Sequence, residues 1–233
     1  MSDKHPFFKF TKHLKQGPGI KKVSHTNEQI VNPDVYVTYK INKYGFRTKD
    51  WTDNKEECYV ALGCSHTYGQ GVPEDSRWSN LLEQHTGVTI YNLGLGAGSR
   101  DTITRLMIGW LEEIKPSKIF VLWPNEHRWE VGLRDRIKSY TPSTVHSIVN
   151  REPNRWDSGY ILEYLGQEYN AEVNKIRNDY TFKGLCEEHN IEPYTLKYSD
   201  FQNIDCKTAR DGIHNGVLFH KAIADEFIKT LDK

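Results

Sequence analysis

The stretch Tyr59-Val60-Ala61-Leu62-Gly63-Cys64-Ser65-His66-Thr67-Tyr68-Gly69 decides how this chain is read. Its opening residues are apolar without alternation, the pattern of a short strand buried on both faces. Gly63 ends the run, and a serine follows two residues later, where the chain turns out of the strand. In a parallel sheet that position is the carboxyl end of a strand, where ligands bind.

Working outward, the same rhythm repeats. Ser76–His85 reads as a helix and Thr89–Gly94 as a second buried strand. Ser99–Ile114 reads as an amphipathic helix, with Ile103, Leu106, Met107, Trp110, Leu111 and Ile114 at helical spacing. Ser99 stands where an N-cap belongs, with Asp101 in the first turn. Pro116 breaks the chain before a third buried strand, Lys118–Trp123. A late strand over Pro193–Tyr198 and a helix after Asn215, with Phe219, Ile223, Phe227 and Leu231 on one face, complete the pattern. Apolar strands alternating with helices predict an α/β fold whose mainly parallel sheet is covered on both faces. Residues 1–34 are polar and Lys-rich, broken at Gly17-Pro18-Gly19, and read as an irregular arm. Val35–Ile41 alternates as a strand and runs into turn chemistry at Asn42-Lys-Tyr-Gly45-Phe46-Arg47. Between about 130 and 190 the rhythm is interrupted. Tyr140–Trp156 reads as loop, and Leu162, Leu165, Tyr169, Val173, Ile176 and Tyr180 step by three or four as one long helix or two broken ones. The expectation is one domain over 35–233 with a helical insertion.

Composition narrows the function. Lys plus Arg equals Asp plus Glu at 31 each, so no basic excess points to nucleic acid. No apolar run is long enough to span a bilayer, and the start lacks the apolar stretch of a signal peptide, so the expected compartment is the cytoplasm. The four cysteines, Cys58, Cys64, Cys186 and Cys206, form no CxxC pair and are expected to be reduced. Ten histidines show no HxH or HExxH spacing, so neither a metal nor another cofactor is expected. At 233 residues, the chain should bury roughly 70% of its unfolded surface without staples.

Four strand-end segments carry chemistry. Ser65 follows the first buried strand. Asn92-Leu-Gly94-Leu-Gly96-Ala97-Gly98-Ser99 brings backbone N–H groups to a helix start. It nearly fits a dinucleotide loop, but no acid ends the next strand, and Gly-Lys-Ser/Thr occurs nowhere in the chain. Trp123-Pro124-Asn125-Glu126 follows the third strand. Asp211-Gly212-Ile213-His214 precedes the last helix, where an acid three residues before a histidine can fix its tautomer. Together they suggest Ser65 as nucleophile, His214 as general base and Asp211 as its orienting acid. The Ser65 N–H, an N–H from Ala97 or Gly98, and the Asn125 side chain are the candidate oxyanion donors. His66 flanks the serine, and Trp123 and Trp129 bracket the third segment, where they could floor a site.

In these blocks the chain resembles the SGNH (GDSL-type) hydrolases, whose four blocks supply Ser, Gly, Asn and a C-terminal Asp-x-x-His. Asn42 through Gly45-Phe46-Arg47 also resembles a segment seen ahead of the serine block. Cys64 stands where the family usually has Asp, and Trp123-Pro124-Asn125-Glu126 replaces Gly-x-Asn-Asp. The resemblance implies a flavodoxin-like three-layer α/β/α sandwich and hydrolysis of small-molecule or glycan esters, with acyl groups on carbohydrates or lipids as candidates. The alternatives are a non-catalytic glycan- or protein-binding member of the fold, or an acyltransferase. An α/β-hydrolase elbow, Gly-x-Ser-x-Gly, is disfavoured, because Thr67 occupies its last position. Leu133–Tyr180 is expected to form a lid or specificity insertion, with Arg134, Arg136, Lys138, Arg151 and Arg155 meeting a polar or anionic substrate.

Overall fold

The structure is a computed structural model and describes residues 19–24, 36–51, 56–132, 137–142, 161–204 and 206–233. Strand β1 (Gly19–Ser24) pairs antiparallel with β2 (Tyr36–Ile41). The arm read as irregular therefore contains a strand. Its Lys-Lys pair hid an edge segment whose pairing comes from β2 rather than from its own apolar pattern.

The main sheet begins with β3 (Cys58–Gly63), followed by the one-turn helix α1 (Ser65–Tyr68) and α2 (Trp78–Thr86). Next come β4 (Thr89–Asn92), α3 (Arg100–Ile114) and β5 (Lys118–Trp123). After β5 the chain makes an antiparallel hairpin, β6 (Trp129–Gly132) and β7 (Ile137–Tyr140). It returns through α4 (Glu168–Glu188) to β8 (Glu192–Lys197) and ends in α5 (Val217–Leu231). The four strands β4-β3-β5-β8 form one parallel sheet in that order. The two central strands are buried throughout apart from the first residue of β5, which is why they read as continuous apolar runs.

Each strand feeds two cores. Val60, Leu62, Ile119 and Val121 pack against Ile103, Leu106 and Trp110 of α3 and Phe182 of α4. Ala61, Phe120 and Leu122 pack against Trp78 and Leu82 of α2 and Phe219, Ile223 and Phe227 of α5. The result is a three-layer α/β/α sandwich with helices on both faces. Ser99 caps α3 as its position predicts: its Oγ accepts from the Thr102 N–H at 3.2 Å, and its own N–H donates to Thr102 Oγ1 at 3.1 Å.

The 130–190 region needs correcting. It opens as the β6–β7 hairpin, so it is not wholly helical. Helix α4 is the crossover between the parallel strands β5 and β8 and packs on α3, so it belongs to the sandwich. Its apolar residues Tyr169, Val173, Ile176 and Tyr180 face outward. The inward face carries Ala171, Asn174, Asn178, Phe182 and Cys186. A polar seam sets this orientation. The Asp101 carboxylate accepts from Asn174 Nδ2 at 3.2 Å and Asn178 Nδ2 at 2.9 Å. Thr104 Oγ1 donates to Asn178 Oδ1 at 2.6 Å. Turning the apolar stripe inward would strand the Asp101 carboxylate against a hydrocarbon face. Residues Leu133, Arg134, Arg136, Arg151 and Arg155, and most of the loop expected at 140–156, lie outside the described residues.

Phe120 is fully buried between Tyr59, Tyr194 and Phe227, with ring centroids 4.9–5.8 Å away. Phe120→Ala is expected to cost about 3–5 kcal/mol in urea unfolding. A loss below about 1 kcal/mol would contradict this packing.

Candidate active site

The site is assembled where β3 and β5 end. Ser65 opens α1 directly beyond β3 and is buried. Cys64, where an acid was expected from the resemblance, is buried too and makes no side-chain cap. Its carbonyl instead accepts the Thr67 and Tyr68 N–H groups at 3.0 and 2.9 Å, so backbone bonds hold the turn.

Two side chains brace that turn from outside. Asn42 Oδ1 accepts from the Tyr44 and Phe46 N–H groups at 3.1 and 2.9 Å, shaping the loop that delivers Arg47 inward. Arg47 is almost wholly buried, with its guanidinium 4.0 Å from the Tyr39 ring centroid. It donates to the carbonyls of Tyr68 at 3.2 Å, Val72 at 2.9 Å, and Gly69. These acceptors lie at the carboxyl end of α1 and just past it, where carbonyls lack helical partners. Asn92, at the end of β4, donates to the Thr67 carbonyl at 2.6 Å and accepts from the Gly94 N–H at 2.9 Å. It therefore ties the serine turn to the glycine loop. A Cβ on Gly94 would meet the Tyr68 nitrogen at 2.5 Å, so this glycine serves close backbone packing rather than a phosphate.

The histidine arrives on the loop before α5. Asp211 Oδ2 lies 2.6 Å from His214 Nδ1, and Asp211 Oδ1 accepts from the Ile213 and His214 N–H groups at 3.0 Å each. Burial by itself would raise the Asp211 pKa. The two backbone N–H groups and the imidazole outweigh it and hold the carboxyl below its ordinary value. The Arg210 N–H donates to the Gly71 carbonyl at 3.1 Å, fastening this loop to the turn beyond the serine. Gly71 sits at φ +74°, and a Cβ there would press on Asp211 Cγ at 2.9 Å.

A cavity of about 490 Å³ gathers Ser65, His66, Ala97, Asn125 and His214, with Gln70, Arg128, Thr141, Tyr198 and Asn215 among its other walls. Asn125 Oδ1 accepts from the His127 N–H at 2.9 Å, which turns its NH₂ away from that bond. Of the two backbone donors left open by the sequence, Gly98 is a poor fit: its N–H donates to the Leu95 carbonyl at 3.0 Å. Ala97 lines the cavity at φ +60°, a left-handed conformation uncommon for alanine and often found at functional sites. A second cavity of about 250 Å³ shares Asn125 and Tyr198 and is walled by Arg100, Trp123 and Lys197. Trp123 is thus a wall of this neighbouring space, stacked under the Arg100 guanidinium at 4.4 Å. Trp129 is corrected to a packing role: it is buried with Tyr140, Ile161 and Leu165, and its Nε1 donates to the Leu165 carbonyl at 3.0 Å. Among the described residues no cluster of three metal-ligating side chains occurs. No helix among them is long and apolar enough to cross a membrane.

Sequence reasoning passed over Gln70, Arg128, Tyr198 and Asn215, and named Arg47 only as part of the Gly45-Phe46-Arg47 segment. Each is an isolated polar residue in a loop or at an element's end, with no periodicity to single it out. Only Arg47 carried a signal, through the Gly-Phe-Arg segment.

No protein-family model and no curated protein matches the chain. Among solved structures it is similar to a psychrotrophic esterase from Pseudoalteromonas, at 14% identity and TM-score 0.43, over 76% of this chain and 97% of that one. It is also similar to a member of the lipolytic G-D-S-L family from Veillonella parvula, at 14% identity and TM-score 0.39, over 75% and 98%. A carbohydrate esterase family 2 enzyme from Corynascus thermopiles aligns at 10% identity and TM-score 0.40, over 79% and 69%.

Two buried histidines give the fold a pH signature. Burial first, then neighbouring positive charge, lowers His66 to about 3 and His220 to about 3. His66 Nδ1 has no hydrogen-bond partner among the described residues, and its ring stacks on Tyr198 at 4.5 Å. Below roughly pH 6.5 the unfolded chain binds protons that the folded chain refuses, so stability falls as pH drops. His66→Gln is expected to reduce the slope of unfolding free energy between pH 5 and 6 by up to about 1.4 kcal/mol per pH unit. An unchanged slope in urea titrations would place His66 in a solvated environment instead.

Proposed function

We propose that the chain is a serine-dependent ester hydrolase. The reading is carried by one observation: a nucleophile candidate, an acid-oriented histidine, a left-handed backbone segment and a side-chain amide all line one cavity.

The proposed chemistry follows from that arrangement. Asp211 holds Nδ1 of His214, leaving Nε2 to take the Ser65 hydroxyl proton as Oγ attacks the ester carbonyl. Negative charge develops on the carbonyl oxygen and is met by the N–H groups of Ser65 and Ala97 and by Asn125 Nδ2, donors fixed before reaction begins. His214 then gives its proton to the leaving alcohol, and an acyl group remains on Ser65. Water, activated by the same imidazole, releases the acid and restores the serine. The cavity is open and presents both polar and apolar walls, which suits an ester on a small molecule or a sugar. Acyl transfer to another alcohol would use the same acyl-enzyme.

Two outcomes are expected. Wild-type protein hydrolyses p-nitrophenyl acetate, and Ser65→Ala lowers kcat/KM by at least about 10³-fold without changing the circular dichroism spectrum. Equal rates in wild type and Ser65→Ala would remove the serine from the mechanism. Because the base must be unprotonated, wild-type kcat/KM rises from acid toward neutral pH. His214→Gln leaves only a small residual rate without that rise. A flat wild-type profile with chemistry rate-limiting would contradict the role of His214.

A further inference from the structure

Arg128 is the part of the cavity that the ester chemistry leaves unused. It lies three residues after Asn125, between β5 and β6, and lines the same space as Ser65, Ala97 and His214. Its Nε is buried without a hydrogen-bond partner among the described residues. Among the described residues, no carboxylate pairs with its guanidinium. The acids on nearby segments have other partners: Glu126 lies 3.9 Å from Arg100, Glu130 bonds Arg105, and Asp211 holds His214. The other polar walls, including Gln70, Asn125, Tyr198 and Asn215, are uncharged.

A partly buried guanidinium without a counter-ion costs the folded state some of its hydration, and a bound anion would offset that cost. The planar fork of an arginine fits the two oxygens of a carboxylate. Arg128 brings one permanent positive charge to the cavity, and no lysine joins it among the described walls. That charge matches a singly charged carboxylate better than a doubly charged phosphate. We propose that Arg128 is a recognition residue for a free carboxylate carried by the substrate, so that the preferred substrates are acidic esters. This rests on the ester-hydrolase reading and adds the substrate class to it.

The experiment uses matched ester pairs that differ only by a carboxylate. These are 4-acetoxybenzoate against its methyl ester, and monoethyl adipate against diethyl adipate. In at least one pair, wild-type kcat/KM is expected to favour the acid by about tenfold or more, as for one charge-assisted hydrogen bond. In Arg128→Gln that ratio falls to near one, whatever happens to the rate common to both esters, and Arg128→Lys restores part of it. Calorimetric titration of Ser65→Ala with 4-acetoxybenzoate separates this proposal from the hydrolase reading, because no turnover is needed. If wild type cleaves neither pair, yet Ser65→Ala binds 4-acetoxybenzoate and the double variant Ser65→Ala/Arg128→Gln does not, hydrolysis fails while the carboxylate site stands. A ratio near one in both wild-type pairs, or an acid preference that survives Arg128→Gln, overturns the proposal. So does a preference for 4-acetoxyphenyl phosphate over 4-acetoxybenzoate, which would assign Arg128 to phosphate.

Discussion

Everything at the candidate site depends on β3 and β5 lying side by side at the centre of the sheet. They pair in parallel with Gly63 opposite Leu122, so both chains leave the sheet at the same edge, one strand spacing of about 4.8 Å apart. Ser65 follows one strand by two residues, and Asn125 follows the other by two. The first crossover runs from β3 outward to β4, whereas the later chain continues through β5 to β8 on the other side. This reversal opens a crevice between the two strand ends. A side chain placed just beyond either strand therefore faces the crevice before any catalytic group is specified.

The remaining parts of the site are held to that crevice by polar bonds rather than by apolar packing. Arg47 gathers the carbonyls behind the serine turn, Asn92 links that turn to the glycine loop, and the Arg210–Gly71 bond brings the histidine loop against it. Four loops are thus tied to one another at their backbones. This suits a site whose reacting atoms must keep their spacing while its mouth stays open to substrate. Arg47 and Asn92 contact the turn and are not among the cavity's lining residues.

Much of the fold was legible because the central strands are buried on both faces and the helices α3 and α5 have one apolar side each. Lys118–Trp123 was found with its bounds intact, and Ser99 as the cap of α3. Other parts were hidden for physical reasons. β1 is a two-strand edge whose partner supplies its order. In α4, periodicity showed a helix but not its inward face, which is set by the half-buried Asp101 taking the amides of Asn174 and Asn178 while Tyr169, Val173, Ile176 and Tyr180 stay exposed. At the site, Ser65, Asn125, Asp211 and His214 were nameable from strand-end position and spacing. The choice between Ala97 and Gly98 was not, since it turns on which N–H is already bonded to Leu95. Arg128 had no pattern at all, and its interest comes from the lack of a counter-ion among the described residues, which only three dimensions reveal.

The central claim is that Ser65, His214, Ala97 and Asn125 converge on one reacting carbonyl. It is tested most directly by a crystal structure after treatment with a small fluorophosphonate. The expected density joins phosphorus to Ser65 Oγ, with the phosphoryl oxygen within hydrogen-bond distance, about 2.7–3.1 Å, of the Ala97 nitrogen and Asn125 Nδ2. His214 Nε2 should lie beside the serine oxygen. An unmodified Ser65, or an adduct whose phosphoryl oxygen points away from Ala97 and Asn125, would contradict it.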